Sequence, residues 1–394
     1  MNKSLWVLPK NLFPVNDGAR VANMALLKSM RSYFSQLDIL YFDDKEENQL
    51  EYESQINPQS LYCIPKKKIN SKLRKLINLG FGFLKNPNLP ITTTPFCENS
   101  QIEKLKVILA KENYDIIIFD GLHPMSAFLP LIDPKKSKII YRAHNVEHEL
   151  WSTAAKKAQW PISILLNWQG RIMKKFELNC INNSSIVWTI SEDDKKVFSK
   201  LAPMSRIETI PVGLNFIDFE KPKINESKIQ ILFLGKLDWA PNKDGLQWFL
   251  SEIWPMVDKA KYQLNIVGSG DGSWGKQLFL GESINFQGFV KDIDKVYQEN
   301  DFSIIPIRFG SGTRIKVVES VSKKLPLIST QMGILGSGLR EDEFLNAETI
   351  NDWIHLFSRL KREDGNEISK KAFYRLRSIF DANEISKKAY NTFW

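Results

Sequence analysis

The feature that most constrains this chain is an alternation, run through twice, of short continuously apolar bursts with longer amphipathic stretches. A strand buried on both faces reads as an unbroken apolar run, and a parallel neighbour needs a crossover helix, so this pattern predicts parallel sheets covered by helices. In the first series it predicts strands over 5–9, 38–42, 115–119, 138–142 and 185–189, with helices over 19–34, 101–112 and 191–201. Ser191, followed by Glu192, Asp193 and Asp194, is an N-cap with acids in the first turn. A polar segment at 216–228 reads as a linker. Beyond it the second series predicts strands over 229–234, 263–267, 284–286, 302–307 and 327–330, with helices over 244–257, 293–299 and 313–321. From 349 the chain is mostly helical. The 394 residues are too many for one simple core. The expectation is an α/β chain of two Rossmann-like doubly wound domains facing across a cleft, at 1–217 and 218–378, with a C-terminal helix at 379–394 that returns to the first domain. Ligands of such sheets bind beyond the carboxyl ends of the strands, so chemistry is expected in those loops.

Composition excludes several classes. Cys63, Cys97 and Cys180 are too far apart for a zinc knuckle or redox pair and too few for a disulfide framework, and read as buried thiols in a reducing cytoplasm. No apolar run reaches the ~18 residues of a membrane span; stretches such as 160–168 are the longest. The first nine residues read as a strand rather than a signal peptide, so a cytoplasmic location is expected. The net charge is +9, and residues 1–217 hold 29 Lys and Arg against 21 Asp and Glu, a surplus of eight. Seven basic and no acidic residues fall in 65–85, which ends in a Phe-rich run. Such a segment suits an anionic membrane surface, against the plainer readings of a solvated helix face or a nucleic-acid patch. Without interleaved stacking aromatics, no nucleic-acid partner is expected.

The sharpest local signal runs from Ile305 to Glu319: a strand, the turn Gly310-Ser311-Gly312-Thr313, then a helix start carrying Arg314 and Lys316. Glycines let backbone approach a ligand, and exposed amides at a helix start suit a diphosphate. Glu319, a turn and a half into the helix, can accept hydrogen bonds from two vicinal hydroxyls of a ribose. The alternative is an ordinary strand-to-helix turn with a surface Glu.

That turn is preceded, in order, by the stretch 231–250, by Gly268-Ser-Gly270 and by Gln287-Gly-Phe-Val290. The first half carries Pro14-Val-Asn-Asp-Gly18, Asp120-Gly-Leu-His123 and Tyr141-Arg-Ala-His144-Asn145-Val-Glu147-His148. Together these motifs resemble the GT-B fold retaining glycosyltransferases of family 4 (group 1), over nearly the whole chain and most closely over 231–333. The resemblance implies an N-terminal acceptor-side domain and a C-terminal nucleotide-sugar domain. It implies that Glu319 grips the donor ribose, that Gly310 and the amides of Ser311, Gly312, Thr313 and Arg314 hold the phosphates, and that Lys236 contacts the diphosphate. Phe289 and Val290 would line the base pocket, and Gly18 would close over the donor phosphate. His123 would lie near the reacting sugar, with His144 and Asn145 on the acceptor side.

The implied partners are a nucleotide-sugar donor and a glycan or lipid-linked acceptor of the cell envelope. Transfer would proceed with retention, with no cofactor and no obligatory metal, Lys236 and Arg314 stabilising the departing diphosphate. Two departures stand out. Ser311 replaces the first of a glutamate pair that many members carry seven residues apart, and either Asn242 or Lys243 could fill the second basic position of the phosphate site. Weaker signals are Gly268 to Gly272 as a dinucleotide fingerprint and Asp292-Ile-Asp294 as a metal pair rather than a helix cap; His148 and His355 have no support. The rival readings are a catalytically silent relative that binds nucleotide or glycan, and a sugar-nucleotide epimerase, for which no suitable carboxylate pair stands out.

Overall fold

The computed structural model describes residues 3–15, 18–44, 48–66, 87–216, 227–310 and 314–394. Nearly all of the basic segment at 65–85, most of the linker, and Ser311, Gly312 and Thr313 lie outside the described residues. The chain forms two units, one of Met1–Pro14, Leu27–Pro211 and Ile385–Trp394, the other of Val15–Leu26 and Val212–Glu384.

The first unit is built on seven parallel strands: β1 (Lys3–Leu8), β2 (Gln36–Asp43), β3 (Ser60–Pro65), β4 (Ile116–Asp120), β5 (Lys138–Ala143), β6 (Ile186–Thr189) and β7 (Ile207–Thr209). Their order is β3-β2-β1-β4-β5-β6-β7. The edge strands β3 and β7 escape the apolar-burst reading because an edge is covered on fewer sides; four of the six β3 residues are only half-buried. Central strands behave as expected, β4 being buried at every residue. One apolar layer joins Leu5, Val7, Leu40, Ile117, Phe119 and Phe128. Ile385–Trp394 completes this unit: Trp188 stacks on Phe393 and donates its indole N–H to Thr392 Oγ1 at 3.0 Å. Between β5 and β6 runs a helical hairpin, Glu147–Lys157 and Ile162–Asn182, that periodicity in the sequence did not single out.

The second unit repeats the plan with β8 (Ile229–Leu234), β9 (Tyr262–Val267), β10 (Ile284–Gly288), β11 (Phe302–Ile305), β12 (Leu327–Ser329) and β13 (Leu345–Asn346), ordered β10-β9-β8-β11-β12-β13. β11 stops two residues short of the sequence expectation because Pro306 has no N–H to give the ladder. The expected helix at 244–257 begins earlier, at Ala240 with Pro241 in its first turn, and gives way to a π turn over Phe249–Ile253. Val21 packs with Leu214, Val317, Phe373 and Phe380, which ties Val15–Leu26 to this unit. Counted from its own first strand, each sheet has the order 3-2-1-4-5-6, with a seventh strand added at the end of the first sheet, and the order reverses between the first and fourth strands. The loops after β1 and β4, and after β8 and β11, are therefore where each unit is open to a ligand.

Candidate functional site

In the second unit, β8 runs into Gly235 and Lys236, and β11 into Pro306 and Gly310. The helix Ala240–Trp248 sits hard against the second of these loops: a Cβ on Gly245 would lie 2.2 Å from Pro306 O. Gly310 has φ +129°, a backbone that L side chains rarely adopt, and a Cβ there would lie 2.7 Å from the Arg314 guanidinium. Arg314 is the N-cap residue of the helix Ile315–Ser322; it is 4% exposed, with its guanidinium carbon 5.5 Å from the Trp239 ring centroid. Lys236 is largely exposed and reaches Asp238 at 3.4 Å.

The choice between Asn242 and Lys243 resolves into a different arrangement. Asn242 is buried, donates to Lys236 O at 2.9 Å, and accepts from Lys316 Nζ at 2.8 Å. It supplies no charge but holds a lysine at the helix start, while exposed Lys243 lies 5.7 Å over the Trp274 ring. Burial, and then the neighbouring Arg314, bring Lys316 down to about 7. Two cations close enough to oppose each other's charge thus converge at a helix start, which is the electrostatics of an anion site. One turn on, Glu319 is buried. Its carboxyl is pushed up to about 7 by burial, against the pull of Lys323.

The remaining second-unit residues divide. Phe289 is exposed after β10, whereas Val290 packs on the cluster of Leu232, Val267, Val296 and Tyr297, so one of the pair projects outward and the other is anchored in the core. Gly18 opens the helix Gly18–Met30. Ser311, Gly312 and Thr313 lie outside the described residues. Asp292 caps its helix by accepting from Lys295 N at 3.1 Å, and Asp294 pairs with Lys323 at 2.7 Å, so the Asp292-Ile-Asp294 pair serves capping and charge pairing. Gly268 to Gly272 lead into the short 3-10 turn Ser273–Gly275, not the helix that a dinucleotide fingerprint requires.

In the first unit, β4 ends on Asp120, which is fully buried. Its Oδ1 accepts from Arg142 Nη1 at 2.7 Å and lies 2.5 Å from His144 Nε2. Burial alone would raise this carboxyl, but Arg142 and then His144 outweigh it and hold Asp120 well below the usual carboxylate range. An ionised Asp120 accepts, so Nε2 of His144 carries a proton toward it. Gly121, at φ +115°, brings the loop after β4 close to both Pro9 and His144: a Cβ there would lie 3.7 Å and 4.0 Å from them. Asn145 is exposed and its side chain bonds Glu147.

His123, three residues beyond β4, is half-buried with its ring 6.1 Å from that of Phe96. Burial, and then Lys66, lower it to about 4. At neutral pH it is an uncharged hydrogen-bonding group of low basicity, better suited to orienting a hydroxyl than to holding a proton. His148, which had no support in the sequence, reaches the buried Glu177 at 2.5 Å and belongs to a structural pair. Of the three cysteines expected to be buried, Cys180 is buried while Cys63 and Cys97 are half-buried, and burial pushes the thiols of Cys97 and Cys180 upward.

Sequence reasoning passed over Asp120 and Arg142 as site residues, and offered Asn242 only as an alternative to Lys243 beside the phosphates. A carboxylate closing the apolar run Ile116-Ile-Ile-Phe119 was the available signal for Asp120; that Asn242 faces Lys316, 74 positions away, left no local one.

Comparison with known proteins agrees with this geometry. A protein of Klebsiella pneumoniae described as an uncharacterized 44.6 kDa protein in cps region is 22% identical over 391 residues, 94% of each chain. Sucrose-phosphate synthase from Thermosynechococcus elongatus superposes with a TM-score of 0.67 at 12% identity, over 99% of this chain and 98% of that one. HepE from Anabaena gives 0.66 at 12%, over 100% and 99%, and TarM from S. aureus 0.65 at 13%, over 99% of each. Residues 228–360 match the family described as Glycosyl transferases group 1. The second unit thus matches the group 1 glycosyl transferases over 228–360, and the chain has the GT-B fold.

Proposed function

We propose that the protein moves a sugar from a nucleoside-diphosphate donor to a glycan or lipid-linked acceptor of the cell envelope. The observation that carries the reading is the convergence of Arg314 with Lys316 held by Asn242 at the switch point of the second sheet. As the glycosidic bond breaks, negative charge grows on the leaving diphosphate, and cations already in place stabilise it without reorganisation. Lys236, Arg314 and Lys316 would together do what a metal ion does elsewhere, so no metal is required. Buried Glu319 would accept from the two ribose hydroxyls. In a retaining transfer the donor phosphate oxygen takes the acceptor proton, a role for which His123, with its low basicity, is not needed; His123 and His144 would instead orient sugar and acceptor hydroxyls.

HepE was crystallised with UDP and glucose, and TarM with UDP, alpha-GlcNAc-glycerol and fondaparinux. UDP is therefore the first base to test here. The Klebsiella relative in a cps region favours a polysaccharide pathway, and the charge of 65–85 favours work at the inner face of an anionic membrane. Among the described residues no helix is long and apolar enough to cross one. The test is a panel of UDP-, GDP-, ADP- and TDP-sugars, read first by thermal shift, since a ligand of the native state raises Tm by mass action, and then by nucleotide release. One nucleotide family is expected to shift Tm and to be released in turnover. Tight binding with no release from any sugar would replace the enzyme with a silent nucleotide-binding relative.

A further inference from the structure

The helix Ile162–Asn182 of the first unit has two faces of opposite fate. Gln169, Gly170, Met173, Phe176, Glu177 and Cys180 point into the unit and are buried. A surface helix normally turns a polar stripe outward. This one turns out Ile162, Ile164, Leu165 and Trp168, and its approach adds Trp160; of these, Trp160 is 78% exposed and the others between 39% and 59%. The next two turns of the same outer side carry Arg171, Lys174 and Lys175, all exposed. These three, with Trp168 and Ile172, line a hollow of about 360 Å³, room for about a dozen waters at ~30 Å³ each. From 150 to 176 the chain has five basic residues and no acidic one.

We propose that this hairpin docks the first unit on an anionic phospholipid bilayer, its apolar end entering the interface and its cations meeting the headgroup phosphates. The spacing fits. At 1.5 Å per residue, Arg171 follows Leu165 by about 9 Å along the helix axis, and interfacial segments bury about 5–10 Å into the headgroup and acyl boundary. Trp160 and Trp168 are the residue type that membranes collect at that level. The zonation of charge disfavours a second copy as occupant, because the same patch on that copy supplies no anion for Arg171, Lys174 and Lys175. An acidic protein could match the cations but leaves the exposed Trp160, Ile162 and Ile164 tip without a reason. The proposal uses no residue of the donor loops or of 65–85, so its test requires no turnover.

The experiment is co-sedimentation of the full chain with vesicles of phosphatidylglycerol and phosphatidylcholine against phosphatidylcholine alone. Wild type should bind the anionic vesicles. The triple change Trp160→Ser, Ile164→Ser, Leu165→Ser should weaken partitioning at least tenfold with an unchanged circular dichroism spectrum, since all three side chains are exposed. Arg171→Glu, Lys174→Glu and Lys175→Glu together should lose about 10²-fold, from about fivefold per headgroup-level cation. Brominated lipid should quench a fluorescence component that disappears in Trp160→Phe, which identifies this hairpin rather than 65–85 as the inserted element. Sedimentation of the apolar variant equal to that of wild type would overturn the proposal. So would the absence of a Trp160-dependent quench, or a lipid-free dimer that the same variant converts to monomer.

Discussion

The two units share a strand order and differ in the charge they place at the same topological point. Where β4 ends in the first unit, a carboxylate is enclosed and answered from within, Asp120 by Arg142 and His144. Where β11 ends in the second, Arg314 and Lys316 gather close enough that one lowers the other's affinity for a proton. Topology fixes where a ligand can come, and side chains fix which: the first edge is internally neutralised and offers hydrogen-bonding imidazoles, while the second waits for an anion. The difference also predicts which kind of damage each edge shows. Loss of a member of the enclosed Asp120–Arg142 pair should disturb folding, and loss of a gathered cation should disturb binding or turnover.

The largest expected effect breaks the first edge. Asp120→Ala leaves the Arg142 guanidinium buried without its carboxylate, a defect of the class that costs about 3–5 kcal/mol. Chemical denaturation of the variant should show that loss, and Asp120→Asn a smaller one. A variant as stable as wild type would mean that the pair is not what neutralises this edge. Next comes Arg314→Ala, which leaves the fold standing but removes a charge that, under the proposed function, faces the departing diphosphate. Turnover should fall by about 10²–10³ with a smaller change in KM, the size seen when one preorganised transition-state donor is deleted. Equal losses in kcat and in nucleotide affinity would place Arg314 in ground-state binding instead.

Glu319 and His123 make a matched pair, one on each edge, with effects near 10². Glu319→Ala removes charge-assisted hydrogen bonds worth about 1.5–3 kcal/mol each and made alike in ground and transition states, so calorimetry should show nucleotide binding weakened by ~10²-fold. His123→Ala should lower turnover by about 10² with little change in Tm, the low end for a positioned polar group. If His123→Ala lowered Tm and spared turnover, the histidine would belong to the packing around Phe96 and the first edge would be structural throughout.

How far the sequence could be read follows from the range of the forces involved. Strands buried on both faces announce themselves as apolar runs, so β4, β8 and β11 were legible within a residue or two, and the turn at Gly310 was legible because glycine reports backbone conformation directly. β3, β7 and β13 are edge strands whose pairing lends no apolar signature, and the hairpin at 147–182 mixes an inner and an outer apolar face that blur its period. In the site, Glu319 and Arg314 were reachable because their motif is contiguous. Asn242 with Lys316, and Asp120 with His144, are pairings across 74 and 24 positions that only the fold brings together.

The smallest effect, and the one that sharpens the comparison most, is the pH dependence of the second edge. Lys316 and Glu319 both change charge near pH 7, in opposite directions of usefulness for the proposed donor: below about 7 Glu319 holds a proton and could not accept from two hydroxyls, while above about 7 Lys316 has lost the charge that would meet a diphosphate. Nucleotide affinity should therefore peak near neutrality and fall by at most tenfold per pH unit on either side. Folding stability runs the other way. Glu319 is raised from 4.5, so between 4.5 and about 7 the folded state binds the extra proton and this group's contribution declines as pH rises. Lys316 is lowered from 10.5, so between about 7 and 10.5 the unfolded state binds more protons and stability climbs with pH. These two groups by themselves place a shallow stability minimum where binding is strongest, as expected of charges held for a ligand rather than for the fold. Calorimetry from pH 5.5 to 8.5 checks it: Glu319→Gln should flatten the acid limb, and Lys316→Arg, always charged, the alkaline one. An alkaline limb that survives in Lys316→Arg would remove Lys316 from the phosphate site and leave Asn242 holding a lysine with only a structural part.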